Sequence, residues 1–293
     1  MSDTNVGFIG LGLMGSGFTS RLIEKGYSVY GHDRIAGKMA DAESNGVVTC
    51  ASPAAVAREA DQIHVCVMTK NDLEELVFGD DGLSSVDGSD KVIVDHSTTA
   101  ADTTRSFASR LKGSNGMAWI DAPVSGGPPA AREGTLAIMA GGEAAVFERA
   151  TPVLKTMGDC TRMGNTGAGQ VTKMVNQILV LNNYCILAES LALAEAGGVD
   201  PEKIPAALGQ GYAGSNLLQK LFPRMIERDY EPAGYAFQIL KDLHMVDDLA
   251  KQLGVPTPMS AQSTTLFQQL NDMGCGELDG ISVFKLFENL AAQ

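Results

Sequence analysis

The chain has 293 residues, 44% of them hydrophobic, and a formal net charge of −13. That length suits one large or two ordinary domains, and the acidic balance argues against a nucleic-acid backbone or an anionic membrane surface as partner. No unbroken apolar run of spanning length is read, residues 1–5 lack signal-peptide character, and the five cysteines and four histidines suggest no CxxC pair or metal cluster, so the expectation is a cytoplasmic protein with buried, reduced thiols and no metal.

Residues 5–9 read as a buried parallel strand. Gly10-Leu11-Gly12-Leu13-Met14-Gly15 follows, then a helical run to Lys25 and a second strand over 26–33. This is a dinucleotide fingerprint in the context it requires. Gly10 permits the turn, Gly12 lets a pyrophosphate approach, and Gly15 lets helix and strand pack closely. The free N–H groups of the helix start then meet the phosphates. Asp33 ends the second strand, where an acid accepts from a ribose 2′-OH and repels a 2′-phosphate. NAD is therefore favoured, with NADP left open by Arg34, whose guanidinium could pair with that phosphate.

The α/β alternation continues. Ser52-Pro53 reads as an N-cap followed by proline at N1. Strands are expected over 62–68, ending at Met68, and over 91–95. In open α/β sheets ligands bind at the carboxyl ends of strands, so these loops should line the coenzyme, with Thr98 the first candidate. Ser97 or Thr98 could equally cap the helix that begins near Ala100. A strand over 116–120 delivers Asp121-Ala-Pro-Val-Ser125-Gly126-Gly127. A hydroxyl and two adjacent glycines at a helix start suit a small carboxylate, because no side chain blocks the backbone N–H groups. A strand over 134–140, a helix over 143–157 and a short strand over 160–163 complete a first domain, residues 1–163.

Gly164-Asn-Thr-Gly-Ala-Gly169 reads as a flexible joint. Beyond it the pattern is all helical, over 170–196, 201–208, 215–228, 235–253, 258–273 and 280–291, giving a second domain, residues 164–293. The long first helix is apolar on more than one face, which suggests burial in a homodimer or homotetramer. The fold class expected is an α/β Rossmann domain, a mostly parallel doubly wound sheet, followed by an all-α C-terminal domain.

Lys173 stands in the first turns of that long helix. Asn176 and Gln177 are three and four residues on, so they share its face. The helix start and partial burial both disfavour a charged ammonium, which suits acid/base work. Reduction of a carbonyl by a nicotinamide needs a proton donor. None of the four histidines lies in a convincing site loop, and His96 reads as a packing residue. Lys173 is the better donor, with Ser125 as its hydrogen-bonding partner.

Four motifs, in order, resemble those of the β-hydroxyacid dehydrogenase family, which includes 3-hydroxyisobutyrate dehydrogenase, tartronate semialdehyde reductase and 6-phosphogluconate dehydrogenase. They are residues 7–15, residues 121–127 running on to Leu136, residues 167–176, and Lys241-Asp242-Leu243. The resemblance implies that Lys173 is the general acid/base, that Ser125, Gly126 and Gly127 hold the substrate, and that Thr98 and Lys241 contact the coenzyme. It implies an NAD(P)-dependent oxidoreductase acting on a short 3-hydroxy acid or its semialdehyde. A glyoxylate or succinic semialdehyde reductase, or a threonate-type sugar-acid dehydrogenase, is the alternative within the class. A catalytically silent nucleotide-sensing or scaffold protein is the alternative outside it. Gln177 departs from the asparagine the family commonly carries, and Asn176 stands where 6-phosphogluconate dehydrogenases carry histidine, so that sugar phosphate is disfavoured.

Overall fold

The computed structural model describes residues 5–288. The chain divides into two compact units, residues 1–173 and 174–293. The division falls inside the long helix, four residues beyond the glycine joint, because the first turn of that helix is bonded into the first unit.

The first unit alternates strand and helix. In chain order come β1 (Asn5–Ile9), α1 (Leu13–Glu24), β2 (Ser28–His32), α2 (Ala36–Ser44), β3 (Val48–Thr49), α3 (Pro53–Glu59), β4 (Gln62–Val65) and α4 (Lys70–Phe78). They are followed by β5 (Val92–Asp95), α5 (Ala101–Asn115), β6 (Ala118–Asp121), β7 (Val124–Ser125), α6 (Gly127–Glu133), β8 (Leu136–Gly141), α7 (Ala144–Met157) and β9 (Gly158–Gly164). The sheet order is β3-β2-β1-β4-β5-β6-β8-β7, with β9 on β8. The first six strands are mutually parallel, whereas β8 runs antiparallel to β6 and β7.

Why these segments become strands follows from burial. All four residues of β5 and four of the five in β1 are buried, as expected where helices cover both sheet faces. Phe8, Phe18, Val94, Ile120 and Ile138 belong to one apolar cluster, and Ile63, Val65, Ile93 and Trp119 to another. Strand order reverses between β1 and β4, so the ligand crevice of such a sheet opens there, outside the carboxyl ends. Ser52 caps α3 by accepting from the Ala55 amide, with Pro53 as first helical residue, and Thr69 caps α4 through the Asp72 amide.

The long helix α8 (Ala168–Ala196) gives its first turns to the first unit and the rest to the second. The second unit continues with α9 (Ile204–Leu208), α10 (Asn216–Glu227), α11 (Ala236–Leu253), α12 (Pro258–Asp272) and α13 (Lys285–Glu288), and a 3-10 turn over Gly280–Phe284 precedes the last. Residues 289–291 of the last expected helix lie outside the described residues. Leu181, Leu187, Ala188 and Leu191 of α8 pack with Phe222, Leu243, Phe267 and Phe284.

Two expectations change. By length and composition α8 is apolar enough to cross a membrane. The search for an unbroken run missed this because Asn176, Gln177, Asn182 and Asn183 interrupt it. Here α8 is a core helix, and its Asn182 donates to the Ser260 hydroxyl at 3.2 Å. All five cysteines are free thiols, but only Cys185 is buried and the others are half-buried.

Candidate active site

The crevice begins with the glycine loop. Gly10 has a left-handed φ of 94°, and a Cβ there would fall 2.2 Å from the Cys66 carbonyl oxygen. A Cβ on Gly15 would fall 2.0 Å from the Gly10 carbonyl oxygen. Gly12 differs, because a Cβ there would meet only Lys38 Nζ, at 3.6 Å. Thus two glycines are required by the fold, and the third leaves an open cradle. Gly12 is also the N-cap of α1, which lacks a side-chain cap bond and has no acidic residue in its first turn. Its first amides are therefore available to an anion, and the loop fits a dinucleotide pyrophosphate. Around it, Leu11 is buried, Met14 half-buried and Leu13 exposed.

Asp33 follows β2. Its Oδ2 accepts from the Leu11 amide at 2.8 Å and its Oδ1 from the Ile35 amide at 2.9 Å. The carboxylate thus holds the glycine loop and the start of α2 together. Lys38 Nζ stands 3.8 Å from Oδ2; the sequence reading overlooked this lysine, which comes into range through the first turn of α2. Arg34 is exposed and pairs with Asp72 Oδ1 at 2.5 Å. Met68 is exposed after β4.

Beyond β5, the capping alternative for Ser97 and Thr98 is set aside. The N-cap of α5 is Ala100, with no side-chain bond. The Ser97 hydroxyl instead accepts from the Val67 amide at 3.0 Å, tying the two crevice loops together. Thr98 is half-buried in the same loop.

The loop over 121–127 also refines its expectation. Gly126 and Gly127 have φ of 134° and 74°, so both backbones need glycine. A Cβ on Gly126 would strike Ala130 Cβ at 2.7 Å, while one on Gly127 would approach only Pro129 Cδ, at 3.9 Å. However, α6 has seven residues and its second and third are Pro128 and Pro129. Prolines lack an N–H, so this helix start is a poorer anion site than its position suggests. The polar groups left at the turn are the amides of Gly126 and Gly127 and the half-buried Ser125 side chain.

Lys173 is 8% exposed, and its Nζ donates to the Val124 carbonyl oxygen at 2.8 Å, one residue before Ser125. Two residues missed by sequence reasoning set this geometry. Asp121, buried at the end of β6, accepts from the Gly167 amide at 2.7 Å and the Gln170 amide at 3.0 Å. Burial raises its carboxyl above the usual range, and those amides pull it back. Gln170 is buried. Its Oε1 accepts from the Thr99 amide at 3.0 Å and its Nε2 donates to the Ser97 carbonyl at 2.8 Å. The start of α8 is thereby bonded to the strand ends. Both residues lie inside the motifs read from the sequence, which carry no mark separating a scaffold residue from a reacting one.

In the second unit, Asn176 Nδ2 donates to Gln177 Oε1 at 2.8 Å, and Gln177 Nε2 donates to Asp242 Oδ2 at 2.6 Å. Lys241 Nζ stands 3.3 Å from Asp242 Oδ1. Asp242 therefore links the catalytic-motif amides to the C-terminal motif, and it was passed over as a role-bearing residue.

Known proteins resemble this chain over nearly its whole length. Residues 5–166 match the model of the NAD binding domain of 6-phosphogluconate dehydrogenase. Residues 167–287 match that described as NAD-binding of NADP-dependent 3-hydroxyisobutyrate dehydrogenase. The chain is 37% identical to a probable 3-hydroxyisobutyrate dehydrogenase-like protein of Arabidopsis thaliana, over 94% of this chain and 85% of that one. It is 35% identical to 2-hydroxy-3-oxopropionate reductase of Escherichia coli, over 98% of each. A crystal structure of 3-hydroxyisobutyrate dehydrogenase from Salmonella typhimurium superposes with a TM-score of 0.87 at 28% identity, over 97% of this chain and all of that one. The chain belongs to the β-hydroxyacid dehydrogenase family and is an NAD(P)-dependent oxidoreductase of that family.

Proposed function

We propose that this protein interconverts a short 3-hydroxy acid and its semialdehyde, with Lys173 as general acid/base. The observation that carries the reading is the 2.8 Å bond from Lys173 Nζ to the Val124 carbonyl, which holds a buried amino group beside Ser125, the residue whose hydroxyl is the candidate substrate contact. Nicotinamide supplies or accepts the hydride when bound. Lys173 gives its proton to the oxygen of the carbonyl being reduced, or takes it from the hydroxyl being oxidised. Ser125 and the Gly126 and Gly127 amides orient the hydroxyl and the carboxylate. Asn176 and Gln177 extend the polar line along the Lys173 face of α8.

The coenzyme reading assigns the pyrophosphate to residues 10–15 and the ribose side to Asp33, with Met68, Thr98 and Lys241 as further contacts. NAD is favoured, because Asp33 is an anion fixed by two amides and would repel a 2′-phosphate. Lys38 and Arg34 flank that carboxylate, so NADP is the second reading. Residues 1–163 form the coenzyme domain, and residues 164–293 the substrate and dimerisation domain. Val175, Leu179, Ile186 and Leu193 are exposed along α8 at intervals of four and seven residues, a coiled-coil-like stripe that suits a second copy of the chain.

The test is a panel of three- to five-carbon hydroxy acids and semialdehydes, four-carbon sugar acids included, assayed with both coenzymes by nicotinamide absorbance. Turnover confined to 3-hydroxy acids or their semialdehydes is expected. Failure of the whole panel with both coenzymes would overturn the reading.

A further inference from the structure

The core of the first unit holds a polar line for which the reaction above has no use. Gln62 and His64 stand two residues apart on β4, hence on one face of the strand, and His96 follows β5. Gln62 Nε2 lies 2.9 Å from His64 Nε2. His64 Nδ1 lies 2.9 Å from His96 Nε2, and His96 Nδ1 lies 2.8 Å from the Ala122 carbonyl oxygen. Both rings are buried. Phe8 stacks on His64 and Phe18 on His96, with centroids 6.1 and 4.7 Å apart.

The proton positions follow from the last acceptor. A carbonyl oxygen only accepts, so His96 Nδ1 carries hydrogen. Burial pushes His96 down to about 4 and His64 well below the usual histidine range, so both rings are neutral at pH 7. Neutral His96 then offers Nε2 as acceptor, and His64 Nδ1 donates to it. His64 Nε2 in turn accepts from the Gln62 amide. One arrangement satisfies every group, running Gln62 to His64 to His96 to Ala122.

What this line reaches is the segment Ala122-Pro123-Val124. The Ala122 amide donates to the Asp95 carbonyl at 2.7 Å, and the Pro123 carbonyl accepts from the Met139 amide at 3.0 Å. The Val124 carbonyl accepts from Lys173 Nζ. Three consecutive carbonyls are thus fixed by donors from three elements, and the outer two by side chains. An apolar ring at position 96 would fill the space but leave the buried Ala122 oxygen without a donor. A buried acceptor left without a donor is unfavourable, and loss of the donor frees the peptide that positions Val124.

We propose that His96, oriented by His64 and Gln62, is a positioning residue for proton transfer: it fixes the Ala122–Val124 segment that holds Lys173 and presents Ser125. The inference rests on the acid/base reading of Lys173, so Lys173→Ala is measured beside the His96 variants. His96→Phe removes the donor to Ala122. His96→Asn places an amide N–H close to the Nδ1 position and keeps it. Kinetics with the preferred substrate of the panel are combined with NADH binding followed by fluorescence.

His96→Phe is expected to lower kcat about ten- to a hundred-fold and to displace the limb of the kcat–pH profile that disappears in Lys173→Ala. Its NADH Kd should stay within about two-fold, and His96→Asn should recover most of kcat and the original limb. Equal impairment of the two variants, an unchanged kcat in His96→Phe, or loss of NADH binding in both would overturn the proposal, the last because the role is then structural. If Lys173→Ala itself retains most of kcat, the acid/base reading fails first and takes this inference with it, so the two failures are distinguishable.

Discussion

Lys173 Nζ and the Val124 carbonyl oxygen are 2.8 Å apart, and this bond takes a helix lysine off the solvated face and beside the Ser125 turn. Its consequence is direct. Lys173→Ala should lower kcat by about two to four orders of magnitude, the usual range for a general acid/base, while NADH binds with near-normal Kd in a fluorescence titration. Retention of most of kcat would remove Lys173 from the chemistry.

The glycine loop offers a separation of folding from binding. Gly10→Ala drives a Cβ into the Cys66 carbonyl at a left-handed φ and should destabilise the protein by about 1–3 kcal/mol or more. Gly12→Ala meets only the flexible Lys38 Nζ, at 3.6 Å, and should leave the Tm within about 2 °C of the parent while raising the coenzyme Kd roughly ten-fold, because the backbone can no longer approach the phosphates. Thermal melts paired with titrations check both. Equal loss of Tm in the two variants would contradict the assignment.

Coenzyme preference should track Asp33 and its neighbours. NAD is expected to give the higher kcat/KM. Asp33→Asn removes the anion, keeps one acceptor for the Leu11 or Ile35 amide, and should move the NAD to NADP ratio of kcat/KM toward NADP by about ten-fold. Lys38→Ala should move it the other way. If neither variant changes the ratio, discrimination lies elsewhere.

A pH dependence of stability comes from the core. Burial raises the Asp95 carboxyl from 3.8 to about 7, against the lowering effect of the Ser97 hydrogen bond. The native state therefore binds more protons than the unfolded chain between those values, and this contribution to stability is lost as pH rises from about 4 to about 7. His64 and His96 have the opposite sign. Their native values lie below 6.5, so their contribution is lost as pH falls from about 6.5 toward 4. The two slopes oppose one another in the parent. In Asp95→Asn the first vanishes, so Tm against pH should climb more steeply between pH 4 and 7. A profile parallel to the parent's would rule this out.

The stripe on α8 predicts association. Leu179 and Leu193 are 64% and 76% exposed, and Leu179→Glu with Leu193→Glu should raise the monomer fraction in analytical ultracentrifugation at micromolar concentration. A parent that sediments as a monomer would dispose of the dimer.

What was legible in the sequence is what periodicity and turn chemistry encode. The strand–glycine–helix opening, the Ser52-Pro53 cap and the break at Pro256-Thr-Pro258 are local signals, and each appears within a few residues of its expected place. Lys173 and Ser125 were legible as types and spacings. Asp121, Gln170 and Asp242 were not, because their roles are partners distant in sequence, and nothing local distinguishes an aspartate that binds two amides 46 and 49 residues away. The His64–His96 pair was invisible for the same reason. Each histidine looked isolated, and only the parallel register of β4 and β5 brings the two together. The antiparallel β8 escaped because a buried apolar strand reads the same in either direction.

The grip of Asp121 on the start of α8 also bears on the order of assembly. Asp121, which binds the Gly167 and Gln170 amides, ends β6, and β6 pairs with β5 across a shorter stretch of chain than separates Asp121 from those amides. Longer closures cost more chain entropy and follow the shorter ones. By that ordering the β5–β6 pairing is expected to precede the docking of the start of α8 on Asp121. In refolding, turnover should return only once the start of α8 has docked on β6, later than the β5–β6 pairing itself.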